Sequence, residues 1–382
     1  MREGEVIIIG TAHVSPTSIQ EVEKIIENER PDAVAVELCK KRYKALMGEL
    51  EWVPIVDVIK RGEVHLLLFQ IILSYFQRKV GREFGVKPGD EMLAAIKKAK
   101  EIGADVFLID RDASITFRRM WSLMSFFEKI KMFFQIIRGI FIKDKLDIDK
   151  ILKEKRTLEK LIYDFKKISP SAAKVLIDER DAYMAANLLK LKKKYNKIIA
   201  VVGAGHERGI KKFLDNPLAI PEINKLLEVK KKKIKVFHLL FVLFLIFLIF
   251  LFFKIPKQIF FEAFLCWFLI NGILAAIGAL IARAHPLSIL TAFFCAWFTS
   301  LNPFIAAGWI TGIVETWIRK PSIKDFKDIL KTEKFSDLLN NKLFRILLVV
   351  ALTNLGSTIG TFLAAYLIIK MFGASFWKFE IL

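Results

Sequence analysis

Two motifs of the same form, Gly10-Thr11-Ala12-His13 and Gly203-Ala204-Gly205-His206, each follow a run of β-branched residues. Glycine lets the backbone turn sharply and approach a ligand closely, so each motif can deliver an imidazole to the end of a strand. Glu37 closes another such run, and Asp110-Arg111-Asp112 closes one more. His13, His206 and Glu37 make a common ligand set for a divalent metal such as zinc or manganese, with coordination positions left for water and substrate. A metal so held lowers the pKa of its bound water and polarises a carbonyl, and an acidic neighbour can shuttle protons. Without a metal, the same histidines can act as base and electrophile. Arg42, on the first turns of the segment after Glu37, can pair with a carboxylate or hold substrate. Glu179 and Arg180 fall in the helical pattern Ala172–Lys194, where spacing alone favours a structural salt bridge. Asp110 and Asp112 can serve as strand-end acids or as helix N-caps.

The elements that must position these residues are legible as continuous apolar runs: Val6–Ile9, Ala33–Val36, Val106–Ile109 and Ile198–Val202. Unbroken apolar runs are expected of strands buried on both faces of a parallel sheet. Helical patterns over Ser18–Asn28, Cys39–Leu50, Glu91–Glu101 and Glu207–Leu214 alternate with them, which predicts an α/β layered domain with a largely parallel sheet. Ligands of such sheets bind outside the carboxyl ends of the strands, and the polar residues singled out above adjoin those ends.

Composition divides the chain. Its 382 residues are 54% hydrophobic, include 34 Phe, and carry 60 Lys and Arg against 40 Asp and Glu. Disordered chains are poor in bulky apolar residues, so disorder is excluded as the dominant state. Three scattered cysteines make neither a disulfide framework nor a zinc knuckle. The basic surplus crowds beside apolar stretches, as at Lys230–Lys233 and Lys235, where it serves as a membrane anchor. No nucleic-acid module accompanies it, and no nucleic-acid partner is expected.

Spans are expected near 236–253, 259–282 and 346–369, each close to the length that crosses a bilayer. The uncharged stretch between the last two is broken by Asn302-Pro303 and reads as a hairpin, 287–300 with 304–318. The expected organisation is a soluble domain over 1–230 followed by an all-α transmembrane domain over 231–382. Basic residues before Val236 and over Arg319–Lys342 place both segments, and with them the N-terminal domain, on the cytoplasmic side of a multi-pass cell-membrane protein. Gly356, Gly360 and Ala364 form a small-residue face suited to close helix packing and to self-association as a homo-oligomer. Glu262, Arg283 and Glu315 lie near span ends, where snorkelling to the interface suffices. The segment Phe117–Ile142 interleaves Arg118, Arg119, Lys129, Lys131 and Arg138 with Trp121, Phe126, Phe127, Phe133, Phe134 and Ile136. It suits either a helix at a lipid surface or a cap over the sheet.

G-T-A-H at 10–13, E-L-C-x-x-R from Glu37 to Arg42, Glu179-Arg180 and G-A-G-H at 203–206 together resemble the TraB/PrgY (GumN-related) family. G-D-E-M-L-A-A at 89–95, L-N-P-F-I-A-A-G-W at 301–309 and N-L-G-S-T-I-G-T-F at 354–362 resemble its membrane-anchored, archaeal-type branch. Named members of that family shut down peptide pheromones. Distant relatives include Tiki metal-dependent proteases, EreA-type esterases and haem-binding ChaN. The resemblance implies an α/β domain with the paired histidines and a glutamate at an active centre, and it lifts Glu179 and Arg180 into the candidate site. Where relatives often carry E-R-N, this chain has Asp181 as the third residue. The function expected from these readings is a membrane-anchored, metal-dependent hydrolase of peptide or small amide and ester substrates. The alternatives are a non-enzymatic binder of a peptide or haem-like ligand, and a transporter with a regulatory soluble domain.

Overall fold

A computed structural model of the chain describes residues 4–11, 16–49, 54–83, 89–141, 155–229, 256–302, 305–332 and 335–379, with isolated positions between 243 and 254. His13, Pro303, the lysine run and most of the span expected over 236–253 lie outside the described residues. The chain divides into two compact units, Met1–Glu51 with Phe76–Lys230 and Trp52–Tyr75 with Lys231–Leu382.

In chain order the first part runs β1 (Glu5–Thr11), α1 (Pro16–Glu29), β2 (Ala33–Val36), α2 (Lys40–Leu46), α3 (Ile55–Lys60), α4 (Val64–Glu83), α5 (Asp90–Glu101) and β3 (Asp105–Leu108). It continues through α6 (Ala113–Leu123), α7 (Phe126–Phe141), α8 (Lys155–Ile168), α9 (Pro170–Ala173), a π-helical stretch Lys174–Asp178, α10 (Glu179–Lys192), β4 (Lys197–Gly203), α11 (Ala204–Asp215) and α12 (Ile223–Leu227). The four strands pair in the order β1-β4-β2-β3, all parallel, as the apolar runs predict.

Both faces of this sheet are covered, which explains why its strands carry no polar alternation. Val34, Val36, Ile199 and Val201 face one way and pack with Val22 and Ile26 of α1 and Met92, Ala95 and Ile96 of α5. Ala33, Ala35, Ile198, Ala200 and Val202 face the other way, against Met184, Ala185 and Leu188 of α10 and Ile210 of α11. Successive side chains of a strand point to opposite faces, so a four-residue run such as β2 feeds both cores. Every residue of β2 is buried. Because all strands run the same way, β2, β3 and β4 deliver the residues that follow them to one rim.

The second unit is helical: α13 (Lys257–Ile281), α14 (Pro286–Leu301), α15 (Ala307–Arg319), α16 (Ile323–Lys331), α17 (Phe335–Asn340) and α18 (Lys342–Phe379). Beyond the boundary at residue 230 expected from sequence, it also takes in Trp52–Tyr75. Ile55, Ile59, Leu68 and Tyr75 pack there against Leu343, Phe344, Leu347 and Val350. Two of its helices, Lys257–Ile281 and Lys342–Met371, are long and apolar enough to cross a membrane, and Pro286–Leu301 is a shorter apolar helix. Helix α14 ends at Leu301, with Asn302 as its C-cap, and α15 begins at Ala307.

Small residues let these helices close on one another. A Cβ added at Gly356 would lie 2.1 Å from the Leu274 carbonyl oxygen, and one at Gly278 would lie 2.2 Å from that of Leu352. The small face of α18 is therefore used within the chain, against α13. Glu315 departs from expectation: it is fully buried, and its carboxylate accepts from the Arg319 guanidinium and from the His285 amide at 3.0 Å. A charge enclosed by apolar helices needs such partners, and here the chain supplies them. Gly356→Ala is expected to force α13 and α18 apart and to lower the stability of this unit by about 1–3 kcal/mol, read from unfolding of the purified protein in detergent. A variant as stable as the parent would mean that the two backbones are not in contact.

Candidate functional site

The site is assembled within three residues of the carboxyl ends of β2, β3 and β4. The Glu37 amide donates to the Val201 carbonyl at 3.0 Å, continuing the β2–β4 ladder, while its Oε2 accepts from the Gly203 amide at 2.6 Å. Asp110 follows β3, and its Oδ1 accepts from the Arg111 amide at 2.7 Å. His206 lies in the first turn of α11, directly after β4. Asp181 and Arg180 come from the start of α10, just beyond the π-helical stretch, a widened turn of the kind that recurs at functional sites.

Arg180 holds the group together. Its Nε and Nη2 donate to Asp110 Oδ1 and Oδ2 at 3.0 and 2.9 Å, a bidentate pair. Nη2 also donates to Glu37 Oε1, and Nη1 donates to the Leu176 carbonyl at 3.3 Å. Nη1 lies 3.0 Å from His206 Nε2 as well. A guanidinium has no acceptor, so His206 Nε2 must carry the lone pair and Nδ1 the proton. That proton is donated to Asp181 Oδ1 at 2.5 Å. The imidazole is thereby set as the neutral tautomer whose basic nitrogen faces the rim. Burial opposes the charge on Arg180, but Asp110 and Glu37 outweigh it and hold the guanidinium protonated more firmly than usual. Burial pushes the Asp181 carboxyl up from its ordinary value, with His206 and Arg180 pulling the other way.

Gly209 makes room for this pair. It follows His206 by three residues on α11, and a Cβ there would fall 1.9 Å from Asp181 Oδ2. Sequence reasoning singled out neither Gly209 nor the part played by Asp181. The available signal was helical spacing, which puts positions three apart on one face.

The other expected site residues are placed differently. Arg42 is exposed on α2 and makes no hydrogen bond or ion pair to another described residue. Asp112 is the N-cap of α6, accepting from the Ser114 amide at 2.7 Å, and it pairs with Lys41. Glu179, although adjacent to Arg180, belongs to a second buried cluster. Its Oε2 accepts from Arg111 at 2.8 Å and from Arg119 Nε at 2.9 Å, and Oε1 accepts from Arg119 Nη2 at 2.7 Å. Arg111 is fully buried and also donates to Thr116 and to the carbonyls of Val175 and Leu226. The salt bridge favoured by spacing is therefore present, with partners that no local pattern discloses.

The described residues do not fit a divalent cation as they stand. Arg180 sets a fixed positive charge against Glu37, Asp110 and His206 Nε2, the donors a metal would need. Among the described residues, no group of three His, Cys, Asp or Glu side chains is placed to hold an ion. Of the expected trio, Glu37 and His206 are neighbours, with Oε1 and Nε2 3.5 Å apart, and His13 lies outside the described residues.

Glu179 carries a stability prediction. Burial works against its charge, yet Arg119 and Arg111 hold its carboxyl below the ordinary glutamate value of about 4.5. Its contribution is fully present above that value and is lost as pH falls through the lower folded-state value. Glu179→Gln leaves the buried guanidinium of Arg111 and the partly buried one of Arg119 without their counter-ion. It is expected to cost about 3–5 kcal/mol at neutral pH and to flatten the loss of stability in acid, measured by denaturant unfolding across pH. An unchanged acid limb would refute this role.

Comparison with known proteins agrees with this architecture. Residues 2–217 match the TraB/PrgY/gumN family, and residues 233–373 match the TraB family protein C-terminal domain. An uncharacterized protein of Methanocaldococcus jannaschii is 39% identical over 378 residues, covering 95% of this chain and 94% of its own length. TraB domain-containing proteins of Bos taurus and Homo sapiens are 29% and 28% identical over 246 residues, 57% of this chain, which covers 64% and 65% of theirs. With both units matched and one relative aligned almost end to end, the chain belongs to the TraB/PrgY/gumN family.

Proposed function

We propose that this chain is a membrane-anchored hydrolase of peptide or related amide and ester bonds, with its reaction centred on His206. The observation that carries this reading is the line Asp181–His206–Arg180 at the carboxyl rim of the sheet, an oriented neutral imidazole beside a firmly charged guanidinium. Such an imidazole can take a proton from water, and a buried aspartate on Nδ1 stabilises the imidazolium that forms. A substrate carbonyl oxygen would take over the Arg180 Nη1 hydrogen that now faces Nε2, and water would take over the Nε2 lone pair. Arg180, braced by Glu37 and Asp110, would then face the developing oxyanion. Glu37 and Asp110 act through Arg180 in this scheme and touch no substrate.

Anchorage in a bilayer is supported by α13 and α18, whose apolar side chains remain largely outside the protein core: Phe261 is 63% exposed and Phe362 is 73% exposed. Placing the α/β unit in the cytoplasm, with several crossings, rests on the basic runs beside the spans.

The test is turnover of fluorogenic peptide and ester libraries by the purified full chain, with metal content measured in parallel. His206→Ala and Asp181→Asn are expected to lower the rate at least about 100-fold. Arg180→Lys, which loses the bidentate geometry, should lower kcat more than it alters KM. Gly209→Ala should impair turnover by displacing Asp181 while the helical content is retained. One bound metal per chain, lost in His13→Ala and in His206→Ala, would replace this scheme with metal ligation by His13, Glu37 and His206 after withdrawal of Arg180. Ligand capture without turnover would make the protein a binder and sink the hydrolase reading.

A further inference from the structure

The amphipathic segment after β3 has a feature that the site does not use. Helix α7 begins with a reciprocal cap, in which the Glu128 amide donates to Ser125 Oγ at 3.2 Å and Glu128 Oε2 accepts from the Ser125 amide at 2.7 Å. Glu128 Oε1 reaches further, accepting from the Ser171 amide at 2.9 Å and from Ser169 Oγ at 3.3 Å. The acid in the first turn of α7 is thus turned inward and pinned at the start of α9, which sets the rotation of the helix about its own axis.

That rotation decides what faces out. At about 100° per residue, Phe126, Ile130, Phe134 and Phe127 fall on one arc about 100° wide, opposite Glu128. They are 70%, 38%, 64% and 80% exposed. Lys129 and Lys131 stand on either side of the arc, and Lys129 Nζ lies 5.0 Å from the Trp121 ring centre. An outward apolar arc edged on both sides by lysine, with the acid of the helix's own first turn withdrawn, is complementary to a surface that is greasy below and negatively charged above.

We propose that this face of α7 is a docking surface for an anionic bilayer, seating the α/β unit on the membrane that the helical unit crosses. The proposal rests on the membrane-anchored reading given above. It makes α7 a second, peripheral contact, so that substrates of the rim would be met close to the lipid surface. The cap reading of this segment accounts for Glu128 and its partners, and the lipid reading accounts for the arc opposite them.

The test uses the full chain in nanodiscs of phosphatidylcholine with or without phosphatidylserine. Cys39, Cys266 and Cys295 are first replaced by Ala. An environment-sensitive fluorophore is then placed at Phe127→Cys, at Phe134→Cys and, as a marker of anchorage, at Ile277→Cys on α13. Probes at 127 and 134 are expected to be quenched by shallow spin-labelled lipid when phosphatidylserine is present. Quenching should fall at least about twofold in its absence, at high salt, or in a Lys129→Glu/Lys131→Glu background. Quenching at 277 without quenching at 127 and 134 would overturn this proposal and leave anchorage standing. No quenching at 277 would overturn anchorage and the proposal with it. Equal quenching without anionic lipid would overturn the charge requirement, and self-quenching of the 127 probe in lipid-free micelles would assign the arc to a second copy of the chain.

Discussion

The α/β unit depends on one guanidinium satisfying acids that the sheet buries. Parallel strands deliver Glu37 and Asp110 to the same edge, where their charges would repel one another and lose hydration. Arg180 answers both with a planar fork that matches a carboxylate edge to edge, which a lysine ammonium cannot do. The same residue presents an N–H to the imidazole and so determines which nitrogen of His206 is basic. Stability and chemistry are therefore joined in one side chain. This joining explains why the residue before it, Glu179, is surrounded by its own two arginines: adjacent, oppositely charged side chains are kept apart by giving each a full set of partners.

The helical unit meets a related demand by different means. Its helices approach through glycine and alanine until one backbone touches another, leaving little room for side chains at Gly278, Gly308, Gly356 and Gly360. Two of the polar side chains caught in these contacts find partners across them: Asn354 Oδ1 accepts from the Gly308 amide at 2.7 Å, and Asn271 Oδ1 accepts from Thr361 at 3.1 Å.

The strands were readable in the sequence because burial on both faces removes all polar interruption, and the match of Ala33–Val36 to β2 follows from that constraint. The meeting of Glu37 and His206 at one rim was likewise legible, since strand direction fixes where the following residues go, whereas Arg180 comes from a helix and strand direction does not place it. Other features were not. A salt bridge at Glu179 was expected, but its partners Arg111 and Arg119 are some sixty residues away in sequence and no periodicity links them. Arg42 looked equivalent to Arg180 in charge and in helical setting, yet α2 leaves it facing outward. Asp110 and Asp112 differ by two residues, and only the turn between β3 and α6 makes one a partner of Arg180 and the other a cap. Position near a span end favours an interfacial place for Glu315, whereas the packed helices bury it fully.

The second arginine cluster also reaches toward the end of its unit. Arg111 takes the Leu226 carbonyl at 2.7 Å, and Arg119 takes that of Glu228. The family match to the first unit stops at residue 217, short of both anchors, Leu226 and Glu228. A fragment cut at that sequence boundary would strip the buried Arg111 and the partly buried Arg119 of backbone acceptors beside the very helix that bears Arg180. The smallest excisable piece is set by where the guanidiniums find their last carbonyls, so scissors guided by homology alone would cut inside the folding unit.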